Sequence, residues 1–123
     1  VAVRVLLVDD NESFLEAASV LLERESLRVV GVATSTAQAL PRAAQLQPDV
    51  VLVDISLAGE SGFELARRLV ERERDACPAV ILISTHAQED FADLIAESPA
   101  TGFLAKSELC ASAIRRILDA HPS

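Results

Sequence analysis

Four places in the chain put a chemically capable side chain directly after an apolar run. Asp9 and Asp10 follow Val5 to Val8, Asp54 follows Val50 to Val53, Ser84 and Thr85 follow Ala79 to Ile83, and Lys106 follows Phe103 to Ala105. Three carboxylates gathered in a small space repel one another, and burial raises their pKa values, so such a group needs cations beside it. A divalent metal ion and Lys106 would supply them. Ligation by oxygen alone, with no His or Cys at ligand spacing, favours Mg²⁺, which takes one or two carboxylates and keeps several waters. Phosphoryl transfer uses this combination. A carboxylate acts as nucleophile, while metal, hydroxyl and ammonium stabilise the phosphoryl oxygens during an in-line displacement.

Each residue taken alone has an ordinary structural explanation. Asp9 or Asp10 can cap a helix, Asp54 can begin a turn, Ser84 can be a capping hydroxyl, and Lys106 can be a solvated charge. Their joint placement depends on the elements that carry them. Val3 to Val8 is short, apolar and rich in β-branched residues, the pattern of a buried strand. From Asn11 the spacing changes to Phe14, Ala17, Ala18, Leu21 and Leu22, which predicts an amphipathic helix with Glu12, Glu16, Glu23 and Arg24 outside. The alternation then repeats: strand Leu27 to Ala33, a helix opened by Ser35 with Gln38 as a capping box and running to about Leu46, and strand Val50 to Val53. Pro41 lies inside that second helix, where it removes a backbone hydrogen bond and favours a kink. After a loop with Gly59 and Gly62 come a third helix with Phe63, Leu65, Ala66, Leu69 and Val70 inward, and strand Ala79 to Ile83. A fourth helix is expected over Gln88 to Glu97 with Phe91, Leu94 and Ile95 inward. Strand Gly102 to Ala105 and a last helix from Ser107 to about Ala120 complete the chain. This last helix would bury Leu109, Cys110, Ala113, Ile114 and Ile117 and expose Arg115 and Arg116.

Five strands alternating with five helices predict an α/β domain whose parallel sheet is covered on both faces. In such open sheets, sites form beyond the carboxyl ends of the strands. All four polar positions therefore point into one pocket.

Composition limits the rest. The chain has 123 residues with 11 basic and 19 acidic side chains, a net charge of -8. The length fits one domain that can fold without disulfides or metals. The negative balance argues against nucleic-acid or anionic-membrane binding by this domain itself. The longest apolar stretch, Ala79 to Ile83, is far short of the roughly 18 to 20 residues that span a bilayer. Val1 to Val8 lack the features of a signal peptide, which predicts a cytoplasmic protein. Starting at Val1 with no Met, the sequence reads as a segment of something longer. Cys77 and Cys110 are read as two reduced core thiols, and His86 as a solvated loop residue. Lys106 is the only lysine; every other basic residue is Arg.

The order Asp9-Asp10, then Asp54, then Ser84, then Phe103-Leu104-Ala105-Lys106 resembles the receiver domain of bacterial two-component response regulators, over essentially the whole chain. The resemblance implies a single doubly wound, flavodoxin-like sheet of strand order 2-1-3-4-5, with residues 1–120 as the domain and 121–123 as a loose tail or the start of a linker. It implies that Asp54 accepts a phosphoryl group from a sensor histidine kinase or phosphotransfer protein. Asp10, Asp54 and the backbone carbonyl of Ser56 would ligate Mg²⁺, with Asp9 acting through a metal-bound water. Ser84 and Lys106 would hold phosphoryl oxygens, and Phe103 would turn inward as Ser84 is drawn to the phosphate. Output, as a homodimer or a partner contact, would lie on the face of helix four, strand five and helix five. The domain would not be an enzyme beyond catalysing its own phosphorylation and dephosphorylation.

Three positions depart from the family's pattern. Ala58 stands where a proline is usual. Ser107 replaces the usual proline after the lysine, as in the branch often linked to helix-turn-helix transcription factors. Thr85 stands where a smaller residue is common, which narrows access to the phosphoryl group and predicts slower loss of phosphate than in fast chemotaxis-type receivers. Two other functions compete. One is a receiver-like interaction module that works without phosphorylation. The other is a small Mg²⁺-dependent aspartyl phosphatase, which would need a second acid at Ser56 and a cap domain. A flavodoxin-type electron carrier is disfavoured, because Asp9-Asp10-Asn11-Glu12 would repel a flavin phosphate.

Overall fold

The computed structural model describes residues 3–57, 59–72, 78–85 and 91–120. Its main sheet is built from β1 (Arg4–Val8), β2 (Arg28–Ala33), β3 (Val50–Asp54), β4 (Ala79–Ser84) and β5 (Gly102–Ala105). All neighbours are parallel, in the order β2-β1-β3-β4-β5. This is the doubly wound topology the sequence predicts. The five helices are α1 (Glu12–Arg24), α2 (Thr36–Leu46), α3 (Gly62–Arg72), α4 (Ala92–Glu97) and α5 (Ala111–Ala120).

Alternation along the central strands feeds two cores. Leu6, Val8, Val51, Val53, Val80 and Leu82 face one way and pack with α2 and α3 through Ala39, Ala43, Leu65 and Leu69. Val5, Leu7, Val50, Leu52, Ile81 and Ile83 face the other way and pack with α1 and α5 through Leu15, Ala18, Leu22 and Ile114. Successive side chains on a strand point to opposite faces, so a run that is apolar at every position requires cover on both sides.

Local signals account for most element starts. Asn11 caps α1, its side chain accepting from the Phe14 amide at 3.1 Å. Ser35 caps α2 by accepting from Gln38 N. Gln38 reaches back one residue further than a capping box requires and accepts from Thr34 N at 2.9 Å. Helix α2 runs on through Pro41, which lies on its exposed side.

The structure corrects several details. The buried residues of α1 are Leu15, Ala18 and Leu22, while Leu21, expected inward, is exposed. Helix α4 buries no residue, and Leu94 is 51% exposed. Gln88 to Asp90, the expected start of that helix, lie outside the described residues. Helix α5 starts at Ala111, not at Ser107, because Lys106–Glu108 form a 3-10 turn and Leu109 is extended. Cys110 therefore precedes the helix and is half-buried, not a core thiol. Cys77, His86, Ala58 and residues 121–123 also lie outside the described residues.

Candidate functional site at the carboxyl edge of the sheet

The carboxyl end of β1 delivers Asp9. Its amide donates to Ala33 O at 3.0 Å, which extends the pairing with β2 one residue beyond the strand. The side chain is fully buried. Its Oδ1 accepts from Asn11 N at 2.9 Å, so Asn11 both holds Asp9 and caps α1. Asp10 is exposed beside it.

On the adjacent strand, Asp54 closes β3 and is 7% exposed. Ser56 N donates to its Oδ1 at 3.1 Å. The chain then makes a short antiparallel hairpin, Ser56–Leu57 with Glu60–Ser61, absent from the sequence reading. Glu60 ties this hairpin to α2 by accepting from Thr36 N at 2.9 Å. Gly62 closes the loop, donating from its amide to Ile55 O at 3.1 Å. A Cβ there would fall 2.6 Å from Ile55 Cα and closer still to the Asp54 carbonyl. Only glycine lets α3 begin this near the phosphoacceptor candidate.

Lys106, directly after β5, reaches both carboxylates. Its Nζ lies 2.5 Å from Asp9 Oδ2 and 3.4 Å from Asp54 Oδ2. The ammonium is thereby the charge partner of the buried Asp9 Oδ2. The ammonium also sits over the Phe14 ring, 4.4 Å from its centroid. Ser84 is buried at the end of β4, in register with Ala105. Phe103 is half-buried in β5, opposite Leu82.

Electrostatics follow from this geometry. Burial pushes the Asp54 carboxyl up; the Ser56 amide opposes it, the Asp9 charge adds to it, and Lys106 opposes it, leaving a net rise. Burial alone would lower Lys106, but contact with Asp9 and the charges of Asp54 and Asp9 outweigh it and hold the ammonium above its ordinary value. Carboxylate oxygens of Asp9, Asp10 and Asp54 come within 4.8 Å of one another. An all-oxygen set of this charge fits a hard divalent cation.

Asp9, Asp10, Asp54, Ser84 and Lys106 are thus brought to one edge, as their places after apolar runs predict. Phe14 and Asn11 are additional members of the site. Their signal is positional: both fall at the start of the helix that follows Asp9-Asp10.

Sheet order and pocket together define the class of doubly wound α/β proteins whose chemistry sits at a topological switch point. Within that class, the chain belongs to the response regulator receiver domain family, whose sequence profile matches residues 5–118. Response regulator GacA of Pseudomonas viridiflava is 30% identical over 116 residues, covering 94% of this chain and 53% of that protein. The signal receiver domain of the response regulator NarL from Mycobacterium tuberculosis superposes with a TM-score of 0.80 at 31% identity, covering 97% of this chain and 95% of that one. A LuxR-family two-component response regulator from Aurantimonas gives a TM-score of 0.84 at 28% identity, with coverage of 98% and 88%. The chain spans about half the length of the curated relatives it matches. Receiver domains are signalling regulators that pair with sensor kinases, and this chain shares their fold and sequence pattern.

Proposed function

We propose that the chain is a phosphorylation-controlled switch in which Asp54 receives a phosphoryl group from a phosphohistidine of a sensor histidine kinase or phosphotransfer protein. The observation that carries this reading is the position of Lys106 Nζ between Asp9 and Asp54 in a largely buried pocket. An Oδ atom of Asp54 attacks phosphorus as the histidine N–P bond breaks, and the Asp54 side chain gains the phosphoryl group. Asp9, Asp10, Asp54 and the Ser56 carbonyl would hold Mg²⁺, with Asp9 acting through water. Bound there, the ion supplies positive charge to the phosphoryl oxygens. Lys106 supplies the second positive charge and Ser84 a hydroxyl donor, both from strand ends the sheet holds rigid.

Phosphorylation adds charge and strong acceptor oxygens at Asp54. A pull on Ser84 would reposition the end of β4, and Phe103 on the adjacent strand would follow, carrying the change to the α4–β5–α5 face. The thin anchoring of α4, which buries no residue, suits an element that moves. That face is the proposed site of homodimer or partner contact. Residues 1–120 are proposed as one such domain, acting in the cytoplasm without itself contacting nucleic acid. Among the described residues no helix is long and apolar enough to cross a membrane.

Incubation with Mg²⁺ and acetyl phosphate, followed by intact-mass measurement, tests this. A phosphate increment that disappears in Asp54→Asn is expected. An unmodified wild-type chain would favour the alternative of an interaction module that works without phosphorylation.

A further inference from the structure

Phe14 has a half-buried ring that the proposed chemistry leaves without a role. It belongs to the first turn of α1, and its amide is fixed by the Asn11 side chain at 3.1 Å. The Asn11 amide in turn holds Asp9 Oδ1 at 2.9 Å. Asp9 and the Phe14 ring are therefore delivered to Lys106 as one unit, the carboxylate at 2.5 Å and the ring centroid at 4.4 Å from Nζ. The face of an aromatic ring attracts an ammonium through its quadrupole, most strongly where water is excluded. The Lys106 side chain is only 14% exposed.

We infer that Phe14 is a positioning residue that seats the Lys106 ammonium in the pocket without neutralising it. A carboxylate in that place would bind Lys106 more strongly but would cancel the charge a phosphoryl oxygen needs. A ring face attracts with little directional demand, so Nζ can turn from Asp9 toward Asp54 while remaining held. Phe14 thereby keeps Lys106 inside the pocket when a cation competes for Asp9. This role rests on the reading of Lys106 as a phosphoryl ligand.

The chain's single lysine makes the test selective. In protein grown with ¹³C-labelled lysine, only Lys106 gives an ε-methylene signal. That signal is expected to be moved upfield by the ring current of Phe14, to lose the displacement in Phe14→Leu and to keep it in Phe14→Tyr. Phosphorylation by acetyl phosphate should slow about three- to tenfold in Phe14→Leu and recover in Phe14→Tyr, in line with the strength of a partly desolvated ammonium–ring contact. An ε-methylene signal at its unperturbed position in the wild-type protein overturns the inference, whether or not Phe14→Leu folds. So does a folded Phe14→Leu that is phosphorylated at the wild-type rate. A wild-type protein that takes up no phosphoryl group defeats the proposed reaction instead, and the ring-current shift, read without any phosphoryl donor, still decides whether Phe14 seats Lys106.

Discussion

At Asp54, burial sets the charge of a side chain against the fold that holds it. Burial and the Asp9 charge raise its carboxyl above the ordinary value of 3.8, against the Ser56 amide and Lys106. A group whose folded-state pKa is raised contributes stability when protonated. That contribution is complete below about pH 3.8 and is lost as pH climbs through the raised value. Ionised Asp54 therefore destabilises the protein at neutral pH. Asp54→Asn, which mimics the neutral form, should stabilise it at pH 7 and lose most of that gain as pH falls toward 3.8. Urea unfolding of both proteins at the two pH values measures this; equal gains at both would show that charge is not the cause. At this scale the sequence is highly legible wherever a polar residue ends an apolar run, as Asp9, Asp54, Ser84 and Lys106 do. Phe14 is not legible, because an aromatic residue at helical spacing reads as core until the lysine above it is placed.

The elements explain which parts of the fold can be foreseen and which cannot. Strands apolar at every position have one stable solution, a sheet covered on both faces, so their order of appearance leads directly to the architecture. Helix α1 shows the limit of periodicity. Its apolar residues form a wide stripe, of which Leu15, Ala18 and Leu22 are buried and Phe14 is half-buried against the same core, while Ala17 and Leu21 are exposed. The late start of α5 is set by tertiary contact: Ala111 N donates to Glu25 Oε1 at 2.9 Å, from the end of α1. The hairpin at Ser56–Ser61 is too short to leave a periodic trace. Gly62 links element to site most directly. Gly62→Ala forces the start of α3 away from Asp54 and Ile55, at a cost of about 1–3 kcal/mol from overpacking. We expect a lower urea midpoint and slower phosphorylation together, since the same displacement moves Asp54. Unchanged midpoint and rate would mean the backbone accommodates the methyl group freely.

For the molecule as a whole, part of the net charge of -8 is concentrated rather than spread. Asp9, Asp10 and Asp54 share one edge with a single ammonium. A cation bound to the folded state alone raises stability by mass action, so Mg²⁺ at 100 times its dissociation constant should add about 2.7 kcal/mol. Thermal scans with Mg²⁺, and with EDTA in its place, should show a higher Tm with the metal, and Asp10→Ala should reduce the difference. A Tm indifferent to Mg²⁺ in the unmutated protein would contradict the metal site.

The pocket also has a place in the order of folding. Its cation is carried by the last strand of the sheet, and Lys106 meets Asp54 across a sequence separation of 52 residues. Contacts this distant form only after loop-closure entropy has been overcome. Until β5 docks, Asp9 and Asp54 lack the Lys106 ammonium, and repulsion between them opposes the pairing of β1 with β3. Arrival of Lys106 relieves that repulsion in the same event that completes the sheet. Asp54 thus gains its lysine partner only in a chain whose final strand is in place, which couples the appearance of the site to the cooperativity of the whole domain.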